Sequence, residues 1–257
     1  MDRERSALVL LHGVTMSARV WDEVVPLLST AHEVHALTLL GHRGGPAAPH
    51  RPARVSDIVD AAEAVLDDLG LDRPHVAGNS LGGWVGIELA RRGRAASVCA
   101  MSPAGFWDQG EASQEHASSR LRRQAALTRV GRPVAPWFLR SRTVRRVSVR
   151  DIASHGDRLS VAQALGAADD LLGCSIRDDI LGTTEQVARL DPVPCPITLA
   201  WSENDAVFPL ATNGPIARAR VPGASFVVLP GVGHVPMIDD PSLVARTILA
   251  TSRKPSS

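Results

Sequence analysis

Hydrophobic positions along the chain fall into short apolar runs that alternate with longer stretches of helical spacing. Residues 7–11, 33–39, 75–77, 95–101, 196–201 and 225–229 are short and dominated by aliphatic side chains. They read as strands. Between them, residues 20–28 have helical spacing. Residues 55–69 place Val55, Ile58, Val59, Ala62, Val65, Leu66 and Leu69 on one stripe, with Ser56 and Asp57 at the start. That is the pattern of an amphipathic helix. Residues 81–92 predict a helix that stops at Gly93, and residues 241–250 a closing helix. Strands that alternate with helices imply βαβ units, hence an α/β fold: a mostly parallel β-sheet flanked by helices.

The alternation lapses between about residues 104 and 181, where helical patterns continue without a convincing strand. A structureless loop of that length is uncommon in a compact domain. The expected organisation is therefore a core made of residues 1–104 and 182–257, with residues 105–181 inserted as a helical cap. The sequence shows no internal repeat. Residues 252–257 are expected to fray.

Composition changes this picture little. Of 257 residues, 44% are hydrophobic and 21% charged, the balance of an ordinary globular protein. The formal net charge of +1 gives no electrostatic reason to expect nucleic acid or an anionic membrane as partner. The distribution is uneven: residues 116–150 hold ten arginines and no Asp or Glu. The bland reading is a solvated face paired with acids elsewhere. The sharper one is that one or two of these arginines, with Trp107, Trp137 and Phe138 nearby in sequence, anchor an anionic group of a substrate. Asp60, Asp67 and Asp68 read as solvated charge on a helix face.

Cys99, Cys174 and Cys195 are odd in number and widely spaced. Neither a disulfide framework nor a zinc site follows; Cys99 and Cys195 sit in apolar runs and read as small hydrophobes. The charged N-terminus lacks an apolar leader, and no run is long enough to span a bilayer. The expected setting is cytoplasmic. The expected partner is a small-molecule substrate, with no membrane or nucleic acid; a homo-oligomer is left open.

The strongest chemical signal is Gly78-Asn79-Ser80-Leu81-Gly82, a G-x-S-x-G motif directly after a strand and directly before a helix. The flanking glycines let strand and helix approach without Cβ clashes. The hydroxyl of Ser80 then projects at a helix N-terminus, where amide N–H groups favour developing negative charge. The bland alternative is a Gly/Ser-rich turn.

At this point the chain resembles the α/β-hydrolase superfamily over nearly its whole length outside the cap. Leu10-Leu11-His12-Gly13-Val14 stands where that family carries its oxyanion loop. Ser202-Glu203-Asn204-Asp205, followed by Pro209, resembles the context of its acid, and Gly231-Val232-Gly233-His234 that of its histidine. The chain order Ser, Asp, His is the family's order. The resemblance implies Ser80 as nucleophile, His234 as base and Asp205 as the carboxylate behind the base, with Glu203 a rival two residues away. It also implies an oxyanion hole from the backbone N–H groups of Leu81 and Val14. His12 is expected to hold the oxyanion loop, and His42, His50 and His155 to be surface or loop residues. Leu40-Gly41-His42-Arg43-Gly44-Gly45 departs from the family's glycine-rich loop, because Arg43 replaces the middle glycine.

The implied function is hydrolysis of an ester, thioester or lactone through an acyl-enzyme, without cofactor or metal. A serine at this position argues against the epoxide hydrolase and haloalkane dehalogenase relatives, which use Asp there. Two other readings stay open. One is carbon–carbon bond hydrolysis with the same triad, although the tryptophan usual in that group is absent after His234. The other is a weakly catalytic binding protein of the same fold.

Overall fold

The computed structural model describes residues 5–108 and 112–253, with the side chains of 112–118, 120 and 121 left out. Of the tail 252–257 expected to fray, Ser252 instead ends the closing helix and is buried, with its Oγ 2.8 Å from His32 Nε2. Residues 254–257 and the side chain of Arg120 lie outside the described residues. Six strands, β1 (Ser6–Leu11), β2 (His32–Leu37), β3 (His75–Asn79), β4 (Ser97–Met101), β5 (Ile197–Ser202) and β6 (Ser225–Leu229), form one sheet in the order β2-β1-β3-β4-β5-β6. Every neighbouring pair is parallel. The chain is thus α/β with a parallel sheet flanked by helices.

Successive side chains of a strand point to opposite faces. Val9 and Leu11 of β1 pack into one core, with Ile58, Val59, Val85 and Leu89 from helices α2 (Val55–Asp68) and α3 (Leu81–Arg91). Leu8 and Leu10 pack into a second core, with Leu28 of α1 (Val25–Leu28) and Val244, Ala245 and Ile248 of α11 (Pro241–Ser252). Burial on both faces explains the unbroken apolar runs of the central strands β1, β3, β4 and β5. The edge strand β6 instead leaves Val227 and Val228 exposed, and β2 is mostly half-buried.

The helical spacing of residues 20–28 resolves into a short 3-10 turn at Ala18–Trp21 and the four-residue α1. Pro26 is the cause: without an N–H it cannot continue a helix from Asp22, but it fits the first turn of a new one. Between β4 and β5 the chain forms α4 (Ala112–Gly131), α5 (Ala135–Phe138), α6 (Arg142–Ser148), α7 (Val161–Gly173) and α8 (Arg177–Leu181), with no strand among the described residues. Helix α9 (Leu210–Arg220) links β5 to β6, and α10 (Pro236–Asp239) precedes α11.

Since all strands run the same way, their C-terminal ends share one edge. The segments after β1, β3, β5 and β6 carry Val14, Ser80, Asp205 and His234 respectively. Four residues far apart in sequence are delivered to the edge where open parallel sheets bind ligands.

Candidate active site

Ser80 is the residue before α3 and has φ 55° and ψ −117°. A positive φ is costly for a side chain larger than glycine. The surroundings hold it there. The Ser80 N–H donates to the Met101 carbonyl (3.0 Å), and the Ser80 carbonyl accepts from the N–H groups of Trp84 (3.1 Å) and Ala104 (3.0 Å). The turn leaves no room for side chains beside it. A Cβ on Gly78 would lie 2.2 Å from the Gly82 carbonyl oxygen, and one on Gly82 would lie 2.2 Å from that of Leu11. The G-x-S-x-G spacing is a packing requirement of this turn.

His234 is buried, and its Nδ1 is 2.8 Å from Asp205 Oδ2. A carboxylate accepts and does not donate, so Nδ1 carries the proton and Nε2 is left with its lone pair. The other oxygen, Asp205 Oδ1, accepts the N–H groups of Val207 and Phe208, both at 2.8 Å. Its lone pairs are thus committed to one direction each. Glu203 is exposed and engages elsewhere: its Oε2 accepts the Gly231 N–H at 2.7 Å. The structure therefore brings Asp205, and not Glu203, to the imidazole.

Ser80 and His234 line one cavity of about 800 Å³. Asn79 ties their supports together, donating through Nδ2 to the carbonyls of His234 (2.8 Å) and Met101 (3.2 Å). The loop after β1 closes the site from another side, where a Cβ on Gly13 would lie 3.2 Å from that of Ser80. Val14 and Leu81 both line the cavity. No hydrogen bond to a backbone acceptor is made by either N–H among the described residues.

His12 stands behind this loop. It is fully buried; its Nδ1 is 2.8 Å from the Gly13 carbonyl, and its Nε2 accepts the Leu39 N–H at 3.0 Å. Burial, with His42 beside it, pushes its pKa down to about 3, so the ring is neutral. The Gly13 carbonyl and the Val14 N–H belong to one planar trans peptide and point opposite ways. By fixing the carbonyl, His12 fixes where the Val14 N–H aims. His42 is a loop residue but a buried one, edge-on to His12 with ring centroids 4.8 Å apart. That corrects any surface placement; His50 and His155 are exposed.

Asp239 is a site residue the sequence reading passed over. Its buried carboxylate accepts three backbone N–H groups: Gly233 at 2.7 Å, Ser154 at 2.9 Å and His155 at 2.6 Å. Gly233 precedes His234, while Ser154 and His155 lie between α6 and α7. The Val235 N–H donates to the Ile152 carbonyl at 2.8 Å. The loop of His234 and the segment 152–155 are therefore bound together. A hydrophobic run ending in Asp-Asp-Pro was the only local signal, and it gave no hint of these remote donors.

Of the nine arginines of the run whose side chains are described, four lie within 4 Å of an acid among the described residues. Arg132 pairs with Asp169 through two bonds of 2.6 and 2.9 Å, Arg122 lies 3.6 Å from Asp178, Arg142 lies 3.9 Å from Asp157, and Arg150 lies 3.9 Å from Asp151. Arg145 donates to the carbonyls of Leu139 and Arg140. Arg43 reaches Asp170 of α7 at 3.0 Å, and Ser17 donates to the same carboxylate at 2.6 Å. The residue that departs from the glycine-rich loop thus ties that loop to the helices above. Cys99, Cys174 and Cys195 are buried and unbridged. Among the described residues no group of three His, Cys, Asp or Glu side chains is placed to hold a metal ion.

The family model described as "Alpha/beta hydrolase family" matches residues 8–247. The chain is 31% identical over 195 residues to an epoxide hydrolase of Mycobacterium tuberculosis, covering 74% of this chain and 91% of that protein. It is 28% identical over 266 residues to a pimeloyl-[acyl-carrier protein] methyl ester esterase of Aromatoleum aromaticum, covering 92% and 94%. Among solved structures, an enol-lactonase of Burkholderia xenovorans superposes with a TM-score of 0.71 at 19% identity, over 97% of this chain and 92% of that one. The last likeness speaks to fold alone.

Proposed function

The chain belongs to the α/β-hydrolase family, and from that premise we propose that it is a serine hydrolase that cleaves an ester, thioester or lactone of a small molecule through an acyl-enzyme. The observation that carries this reading is the His234–Asp205 bond (2.8 Å), in a cavity whose wall also presents Ser80 on its strained turn. Ser80 Oγ attacks the carbonyl carbon, and His234 Nε2 takes its proton. The carbonyl oxygen becomes an oxyanion held by the N–H groups of Val14 and Leu81. The bond to the leaving group breaks as the imidazolium returns the proton to it. Water then attacks the acyl-enzyme by the same steps, which frees the acid and Ser80. Asp205 holds the imidazole tautomer and stabilises the imidazolium. Ser80 Oγ and His234 Nε2 are not hydrogen-bonded to each other here; such bonds often tighten only in the substrate complex.

The helical segment 105–181 serves as the cap of this site, and its apolar lining suits the hydrocarbon part of a substrate. The relative that is named an epoxide hydrolase does not redirect the reading. Ring opening through an alkyl-enzyme ester needs a carboxylate at the elbow, and this chain has a hydroxyl there. The unbridged cysteines suit a cytoplasmic setting. The test is a panel of p-nitrophenyl esters of increasing chain length, together with a ring-cleavage dione, on wild type and Ser80→Ala. Ester turnover in wild type, with a loss on the order of 10⁴–10⁶ in Ser80→Ala, supports the reading. Turnover of the dione alone would assign carbon–carbon cleavage instead.

A further inference from the structure

Helices α4 to α6 carry an unusual surface. Ten large hydrophobic side chains are exposed among the described residues, and six of them fall between Leu127 and Val147. The extremes are Val130 (83% exposed), Trp137 (72%) and Leu127 (65%). The same stretch holds six arginines and no acid. Arg129, Arg140 and Arg146 are exposed and have no acidic partner among the described residues, and Arg140 lies over the Trp137 ring at 4.9 Å. Leu127, Val134, Phe138 and Val147 are exposed and also line the cavity. The apolar surface is thus continuous from the outside of the molecule into the space beside Ser80.

We propose that this face of the cap docks on an anionic lipid surface, with the cavity mouth turned toward the bilayer. Isolated exposed hydrophobics need no explanation, but a cluster of this kind around an opening does. An amphipathic surface that joins Trp and Phe to a surplus of arginine has the chemistry of a protein that rests in the headgroup region. The indole sits at the interface, the aliphatic side chains enter the acyl boundary, and the guanidinium groups meet phosphate. A second copy of this chain is a poor occupant, because it would set one acid-free arginine cluster against another. The whole-molecule charge of +1 conceals the feature, since it sums over faces of opposite sign. The docking stands on this surface alone and does not depend on the reaction.

The experiment is co-sedimentation of the full chain with phosphatidylcholine vesicles, with and without about one quarter phosphatidylglycerol. It is run in parallel on Ser80→Ala, so that failure of the serine hydrolase reading leaves the result interpretable. Binding should be at least about tenfold stronger with the anionic lipid and should weaken with added salt. Tryptophan emission should shift to the blue, because Trp137 is exposed while Trp21, Trp84, Trp107 and Trp201 are buried. Trp137→Ser should abolish the shift and weaken binding. The double variant Arg140→Gln/Arg146→Gln should lose the anionic preference, with circular dichroism verifying that both variants fold. Absence of binding to either vesicle, equal binding to both, or a dimer in sedimentation velocity that buries Trp137 would overturn the proposal.

Discussion

The elbow between β3 and α3 and the helices α4 to α6 solve opposite problems. At the elbow, every contact that fixes Ser80 is backbone to backbone, and the neighbouring glycines leave gaps that a single methyl group would overfill. In the helices, side chains are joined at the surface by ion pairs, and large apolar side chains remain in solvent. Backbone sterics tolerate almost no substitution, whereas a surface ion pair can be lost at little cost. The proposed chemistry, which needs close placement of the nucleophile, falls in the first region.

That contrast is sharpest at the proposed triad. Asp205→Asn should lower kcat by about 10⁴, because an amide behind His234 can stabilise the wrong tautomer. Glu203→Gln should stay within about tenfold of wild type, since Glu203 engages only the Gly231 N–H. Steady-state kinetics on one activated ester compares them, and equal losses would break the assignment.

Asp239 joins the two regions and should show an intermediate effect. An amide in place of its carboxylate leaves at least one of the three N–H groups less well satisfied and shifts the His234 loop. Asp239→Asn should lower kcat by about 10- to 100-fold, the scale expected of a small misplacement of a catalytic group. KM should change much less. A loss confined to KM would mean that Asp239 shapes only the binding space.

Acid should loosen the loop after β1 through His12. Its pKa falls from 6.5 to about 3 on folding, so the unfolded chain binds a proton more readily. The stabilising effect is complete above pH 6.5 and is lost as pH drops towards 3, by up to about 1.4 kcal/mol per pH unit. His42 is shifted in the same direction by burial. Urea midpoints at several pH values between 7.5 and 5 should fall less steeply in His12→Gln than in wild type. Parallel slopes would contradict this origin.

The smallest effect belongs to the cap. Arg132→Gln removes a solvent-screened pair with Asp169 and should leave the thermal unfolding midpoint nearly unchanged. A drop of many degrees would mean that these helices are as tightly determined as the elbow.

The same contrast governs what the sequence made legible. The turn at Ser80 could be read because its constraint is local: a strand, two glycines around a serine, then a helix. Helix α9 went unread because Gly214 and Pro215 interrupt it and its apolar positions share no face. Asn79 and Asp239 were missed because their partners are brought near only by the fold. His42 looked like a loop residue and is one, yet the ring is enclosed beside His12. Arg43 could be seen as a departure but not explained, since Asp170 lies far along the chain.

The central claim is a covalent bond between an acyl group and Ser80. It is tested most directly by acid-quenching the protein during turnover of p-nitrophenyl butyrate and mapping the peptides by mass spectrometry. The account predicts a butyryl group on the peptide that contains Ser80, and none in Ser80→Ala. Turnover with no adduct on any peptide, or with the adduct on another residue, would contradict it.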